Sequence, residues 1–389
     1  MTTTAPRFAS ALSTLPDARA ALDDACRRAL AALEGPPDLA MLFVSPGHAR
    51  AFDDLPAWAS EQLGDALLLG CTGESIVGVG QEVEEGPAIS LWLARLPGVK
   101  RWPLRLQFER TPEGGTIVGW PDDLPEPWPE KAALLLLAEP FTFPADSLLE
   151  RLNEDQPGVP VVGGMASASH SPGENRLFYN GEAYSDGAVG VLFDGGLSLR
   201  TVVSQGCRPI GKPYVITKAE RNIILEVGGR PPLVALQEIF DQASPEEKRL
   251  MQSGMHVGRV VDPYRDTFRQ GDFLIRNLIG VDKGTGAVAI GDYVRPGQTV
   301  QFHIRDAQSA DEELKHLLGD VGSSAGALLF TCNGRGTRLF EAPHHDAGCI
   351  ESSLGPIPLA GFFAAGEIGP IGGRNFLHGF TASVALFGG

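Results

Sequence analysis

The chain has 389 residues, more than one ordinary hydrophobic core, with 43% hydrophobic and 21% charged residues, the balance of a globular protein. Its formal charge of −16 repels phosphate backbones and anionic lipid, and no basic patch offsets it, so nucleic acid and membrane surfaces are excluded as partners. No apolar run of about 18 residues and no basic-then-apolar leader occurs. Five cysteines, Cys26, Cys71, Cys207, Cys332 and Cys349, form no CxxC pair, so the chain reads as cytoplasmic, with no membrane insertion, disulfide framework or metal.

In chain order, LAMLFVS at 39–45 predicts a strand, followed by a helix over 49–63. A second strand, LLLGCTGES at 67–75, ends in glycine, and a Gly-led strand, GPAISLWLA, follows at 86–94. The same order returns as KAALLLLAE at 131–139, a helix over 146–153, VPVVGGMAS at 159–167 and GAVGVLFDG at 187–195. It returns again as GALLFTC at 326–332, a helix over 346–354, IPLAGFFAAGE at 357–367 and GFTASVALF at 379–387. Between the second and third copies, PYVITKAE, MHVGRVV, FLIRNLIGV, AVAIGDYV and TVQFHIRD read as strands. Two helices interrupt them, one started by Pro231 and Pro232 and one by a capping box of Ser309 and Glu312. The expected fold class is α/β: tandem domains of mixed β-sheets flanked by helices, with an internally repeated strand-helix-strand-strand unit. The domains are read as 1–207, holding repeats at 39–94 and 131–207, and 208–389, holding a strand-rich insert at 208–325 and the third repeat at 326–387.

Three strings imitate enzyme signatures and fail on context. GCRPIGKP at 206–213 has Pro213 where a phosphate loop needs a hydroxyl, and a strand follows it instead of a helix. GSSAG at 322–326 has the helix before and the strand after, the reverse of a nucleophile elbow. Glu341, His344, His345 and Asp346 lack metal-ligand spacing and read as a solvated loop.

The better candidates are glycine turns at the ends of buried strands, where open α/β sheets bind ligands. GCTGES offers Cys71, Thr72, Gly73, Glu74 and Ser75, and GGMASAS offers Gly163, Gly164 and Ser167. CNGRGT offers Cys332, Asn333, Arg335 and Gly336, with Arg335 suited to gripping a carboxylate. GEIGPIGGRNFLHG packs Glu367, Gly369, Gly372, Gly373, Arg374, Asn375 and His378 into one stretch. Ordering so many glycines costs entropy, so either a ligand or an internal polar network must hold it.

The run GFFAAGEIGPIGGRNFLHGFTASVALF at 361–387 closely resembles the FIST C domain, supported by CNGRGT and IESSLGPIPLAGFF. GCTGES with GGMASAS resembles the companion FIST N domain. The resemblance implies an intracellular sensory module of signal transduction that binds small ligands such as amino acids. In other members such modules accompany kinase, cyclase, chemoreceptor or F-box domains. Here only two glycines follow residue 387 and no output domain precedes residue 17, so a separate signalling output protein is the expected partner. The expectation is a cytoplasmic sensor of an amino acid or small carboxylate with no cofactor and no catalytic residue. Two alternatives stand beside it: an enzyme using Cys71, Cys207 or Cys332 beside His378, and a ligand-free interaction scaffold.

Overall fold

The first strand of each repeat, Leu39–Val44, Ala133–Ala138 and Gly326–Cys332, is apolar along nearly its whole length because both of its faces are covered. Met41 and Phe43, Leu135 and Leu137, and Leu328 and Phe330 point into one shared core. The alternate residues Leu42, Leu136 and Leu329 face three separate helix-covered cores. The computed structural model describes residues 5–388 apart from 113, 263, 264, 266, 269 and 270. It is mixed α/β, with sheets flanked by helices. One unit comprises Met1–Val203, Leu314–Leu377 and Thr381–Gly389, and so contains all three repeats; the other comprises Ser204–Glu313 and His378–Phe380.

The three sheets of the first unit share one plan. In the first, the order is Arg7–Ser13, Ile89–Arg95, Leu39–Val44, Leu67–Thr72, then the hairpin Leu177–Tyr179 and Glu182–Tyr184. The first two strands of each repeat are parallel, joined over a helix, and the last strand returns antiparallel beside the first. Each sheet is completed by a hairpin from another repeat. The second repeat's hairpin pairs with Leu67–Thr72 of the first. The third's, Glu367–Ile371 with Arg374–His378, pairs with Val161–Met165 of the second. The first's, Ile76–Gly78 with Gln81–Val83, pairs with Leu359–Ala364 of the third. The exchange is cyclic, and it covers what would otherwise be three exposed sheet edges.

One glycine in each second strand makes this parallel pairing possible. A Cβ on Gly70, Gly163 or Gly361 would lie 2.0, 1.8 and 1.8 Å from the carbonyl oxygens of Leu42, Leu136 and Leu329.

The second unit is a closed, wholly antiparallel barrel in the order Cys207–Glu220, Ile223–Val227, Val288–Ile290, Phe273–Val281, Met255–Val260, Thr299–Arg305. Its interior is filled by Ile216, Ile224, Val257, Val288, Ile290, Val300, Phe302 and Ile304. The first of these strands begins at Cys207, earlier than the expected PYVITKAE, so most of GCRPIGKP is strand and not a separate glycine-rich turn.

Several local expectations are corrected. The helix placed over 49–63 is a 3₁₀ turn, Pro46–Ala51, and an α-helix, Leu55–Leu63, restarted at Pro56. The capping box assigned to Ser309 and Glu312 is not made. The helix Ala307–Gly319 begins earlier, and Asp306 accepts from Gln308 N at 3.1 Å and from the Ser309 hydroxyl at 2.9 Å. A capping box does form at Ser244 and Glu247, opening the unforeseen helix Pro245–Ser253.

Candidate functional site

The second strands of the three repeats end against one another. Ser167 N donates to Thr72 O at 3.0 Å, Phe363 N to Ser75 O at 2.9 Å and Met165 N to Gly366 O at 2.8 Å. Glu74 N donates to Ser167 Oγ at 2.9 Å, and that hydroxyl donates to Phe363 O. GCTGES, GGMASAS and the start of GEIGPIGGRN are thus brought to one place. The loop after Gly326–Cys332 joins them, because Asn333 N donates to Ala364 O at 3.1 Å. Small residues allow the approach: a Cβ on Gly73 would sit 2.7 Å from Phe362 Cβ.

Beneath this junction lies a buried ionic cluster. Arg335, fully buried, donates from Nε and Nη2 to the two oxygens of Asp346, both at 2.7 Å. The bidentate grip expected of Arg335 is therefore made on a carboxylate of its own chain. The Thr331 hydroxyl donates to Asp346 at 2.6 Å, and His345 Nδ1 lies 2.9 Å from it. Burial alone would raise Asp346, but the Arg335 guanidinium and these hydrogen bonds outweigh it and hold the carboxyl well below its usual range. His345 stacks on Phe340 at 3.3 Å, and His344 Nδ1 accepts from Glu82 N at 2.9 Å. Of the segment read as a solvated loop, Asp346 and His345 are thus held in the cluster by Arg335 and Phe340, whereas Glu341 and His344 are exposed.

Glu82, carried in on the first repeat's exchanged hairpin, accepts from Ala347 N at 2.9 Å. Burial, reinforced by the Asp346 charge, pushes its carboxyl up to about 7. Glu367, also fully buried, accepts from Thr381 N at 3.1 Å and from its hydroxyl at 2.8 Å. Burial pushes it up to about 8 against the pull of Thr381, Arg335 and Cys332. At the outer end Arg338, with its side chain 58% exposed, pairs with Glu74 and donates to Asn333 O at 2.8 Å. Glu84 accepts from Thr337 N at 2.9 Å and lies where a side chain on Gly336 would go.

Other predicted residues lie elsewhere. Gly372 and Gly373, at φ 58° and 77°, form the turn of the exchanged hairpin, where backbone of that hand favours glycine. Asn375 clamps the hairpin: its side chain accepts from Val161 N and donates to Val159 O, both at 2.8 Å, and its backbone is bonded to Asn153. An internal network therefore holds this half of GEIGPIGGRN. Arg374 is exposed beside the turn, and Gly369 leaves room for Val203 and Ser383. Gly163 and Gly164 sit within a buried strand. His378 is buried and groups with residues 204–313. Cys71 packs in the shared core, and Cys26, on the helix Ala18–Leu33, lies in the core between that helix and the first sheet. Burial pushes Cys71 well above the usual thiol range and Cys26 up to about 12, opposite to the depressed value of a nucleophile.

Sequence reasoning missed Glu82, Glu84 and Arg338, and it set Asp346 aside. The isolated carboxylates of QEVEEG, just beyond the first glycine turn, carried no signal until the hairpin exchange was known. Two cavities, of about 260 Å³ lined by Phe8, Ser10 and Val79 among others and of about 540 Å³ lined by Trp128, Lys131 and Asp155 among others, include none of the predicted residues. Among the described residues no helix is long and apolar enough to cross a membrane.

Comparison with known proteins matches residues 38–230 to the FIST N domain and residues 232–370 to the FIST C domain. An uncharacterized protein of Mycobacterium tuberculosis is 46% identical over 387 residues, covering 98% of this chain and 99% of that relative. One of Mycobacterium bovis is 45% identical over 387 residues, covering 98% of each. With both domain models matched in order and full-length relatives on record, the chain belongs to the FIST family.

Proposed function

We propose that this protein is a small-ligand-binding sensory protein of signal transduction, acting in the cytoplasm through a separate output partner, with amino acids and small carboxylates as its ligand class. The observation that carries the reading is Glu367. Its Oε1 is buried with no hydrogen-bond partner among the described residues, at the point where three glycine-rich strand ends and the CNGRGT loop converge. With Oε2 accepting from Thr381 and the carboxyl pushed up to about 8, Oε1 carries the proton at neutral pH. A ligand acceptor such as a carboxylate would recover the cost of leaving it unpaired. Binding shifts the protein only as far as the ligand prefers one arrangement of this cluster over another, which is the property a sensor needs.

Thermal unfolding of the full chain with amino acids and small carboxylates tests the reading. A specific ligand at a hundredfold excess over its Kd adds about 2.7 kcal/mol of stability. No shift with any compound at millimolar concentration would favour the scaffold instead.

A further inference from the structure

We infer that the cavity of about 260 Å³ beside the first repeat's exchanged hairpin binds a small amine with a short apolar tail. Glu367 does not line this cavity, so the site is separate from the one proposed above and does not depend on it. Phe8 of the edge strand Arg7–Ser13, Ala32 of the helix Ala18–Leu33, Val79 at the hairpin turn, and Ile357 beyond the helix His345–Leu354 give it apolar walls. Among the described residues, the one charged side chain lining it is Glu351.

Two features of this lining are unfavourable in the empty protein. Glu351 lies in the last turn of its helix, where the backbone carbonyls already carry partial negative charge, and that turn holds no basic residue. Its carboxylate makes no hydrogen bond or ion pair with a described residue. It lies over the hairpin turn, since a Cβ on Gly80 would be 2.3 Å from Glu351 Oε2. The second feature is Val79. The two-residue turn Val79–Gly80 joins the paired residues Gly78 and Gln81, with φ of 50° and 70°. Turns of that hand favour asparagine or glycine, and a β-branched residue there is strained. Val79 is nonetheless 51% exposed, so the strain is offset by little burial within the chain.

One occupant answers both features. An ammonium placed at Glu351 neutralises the carboxylate and the negative end of the helix, and an apolar tail lying on Val79, Phe8 and Ile357 removes them from water. A ligand carboxylate would meet Glu351 and the helix carbonyls, and a neutral apolar molecule would leave both uncompensated. The volume corresponds to roughly nine waters at about 30 Å³ each, which suits an amine of about ten heavy atoms or fewer.

Isothermal titration of the full chain at pH 7 tests the proposal. The probes are 3-methylbutylamine and 2-phenylethylamine, 3-methylbutan-1-ol as the same shape without charge, methylamine as the charge without a tail, and 3-methylbutanoate as the opposite charge. Saturable binding of the first two is expected, with methylamine more than about tenfold weaker, the alcohol about threefold or more weaker, and the carboxylate weaker still. Glu351→Gln should weaken 3-methylbutylamine about threefold or more and leave the alcohol unchanged. Ala32→Phe, at an exposed position on the wall, fills the cavity and should abolish amine binding. Val79→Asn should raise the thermal midpoint of the empty protein while weakening the amine. Amine binding that Ala32→Phe retains overturns the site. Binding of the alcohol or of 3-methylbutanoate as tight as that of the amine and lost with Ala32→Phe, or amine binding unchanged by Glu351→Gln, overturns the amine assignment. No amine binding at millimolar concentration overturns the proposal and leaves the reading at Glu367 standing.

Discussion

Arg335, Asp346 and Glu367 show how far the meaning of a residue depends on its neighbours. CNGRGT marked Arg335 as a carboxylate binder, and the carboxylate it binds is Asp346, eleven residues on in the same chain. Removing one partner of a buried pair strands the other charge, so Asp346→Asn is expected to cost about 3–5 kcal/mol in urea unfolding, and Arg335→Met with Asp346→Leu to recover much of it. Glu82 and Glu367 have folded values of about 7 and about 8, above their ordinary 4.5. A carboxyl raised on folding contributes stability that is whole below the unfolded value and is lost as pH rises through the folded one. Buried His256 and His303, pushed down to about 4, act in the opposite sense below pH 6.5. A net loss on the order of a few kcal/mol is therefore expected between about pH 6.5 and 8. Glu367→Gln, which keeps an acceptor for Thr381, should gain on the native chain as pH rises from 6 to 9. Thermal melts across that range check the sign, and parallel curves would refute it.

At the scale of elements, the repeated glycine is a packing requirement that sequence alone could only mark. Gly163→Ala and Gly361→Ala put a methyl group against a strand carbonyl and are expected to cost several kcal/mol, about as much as a disruptive core change. Gly348→Ala, within the helix His345–Leu354 and facing open space, should instead stabilise by about 0.5–1 kcal/mol. Asn375→Ala leaves Val161 N without its acceptor; a loss of about 1–3 kcal/mol and earlier proteolysis at the hairpin are expected. The strand-helix-strand order of each repeat was legible because buried parallel strands are continuous apolar runs of fixed length. The edge strand Arg7–Ser13 and the hairpins were not. Their side chains are mixed, and what makes them strands is the sheet edge they complete.

At the scale of the molecule, Phe362 contacts Phe43 and Phe330 in the core the three sheets share, with ring centroids 5.3 and 5.8 Å away. Phe362→Ala should cost about 3–5 kcal/mol and lower the midpoint of urea unfolding. The sequence by itself determined the class, the threefold repetition, the family resemblance and the glycine turns, because periodicity and turn chemistry are local properties of a chain. Only the tertiary structure decided which turns meet, that Glu82 and Glu84 arrive on a hairpin exchanged from the first repeat, and that Asn375 serves the fold. Those outcomes depend on pairings between residues far apart in sequence, and on the burial that sets whether a carboxyl group is solvated, paired or left with an unpaired oxygen.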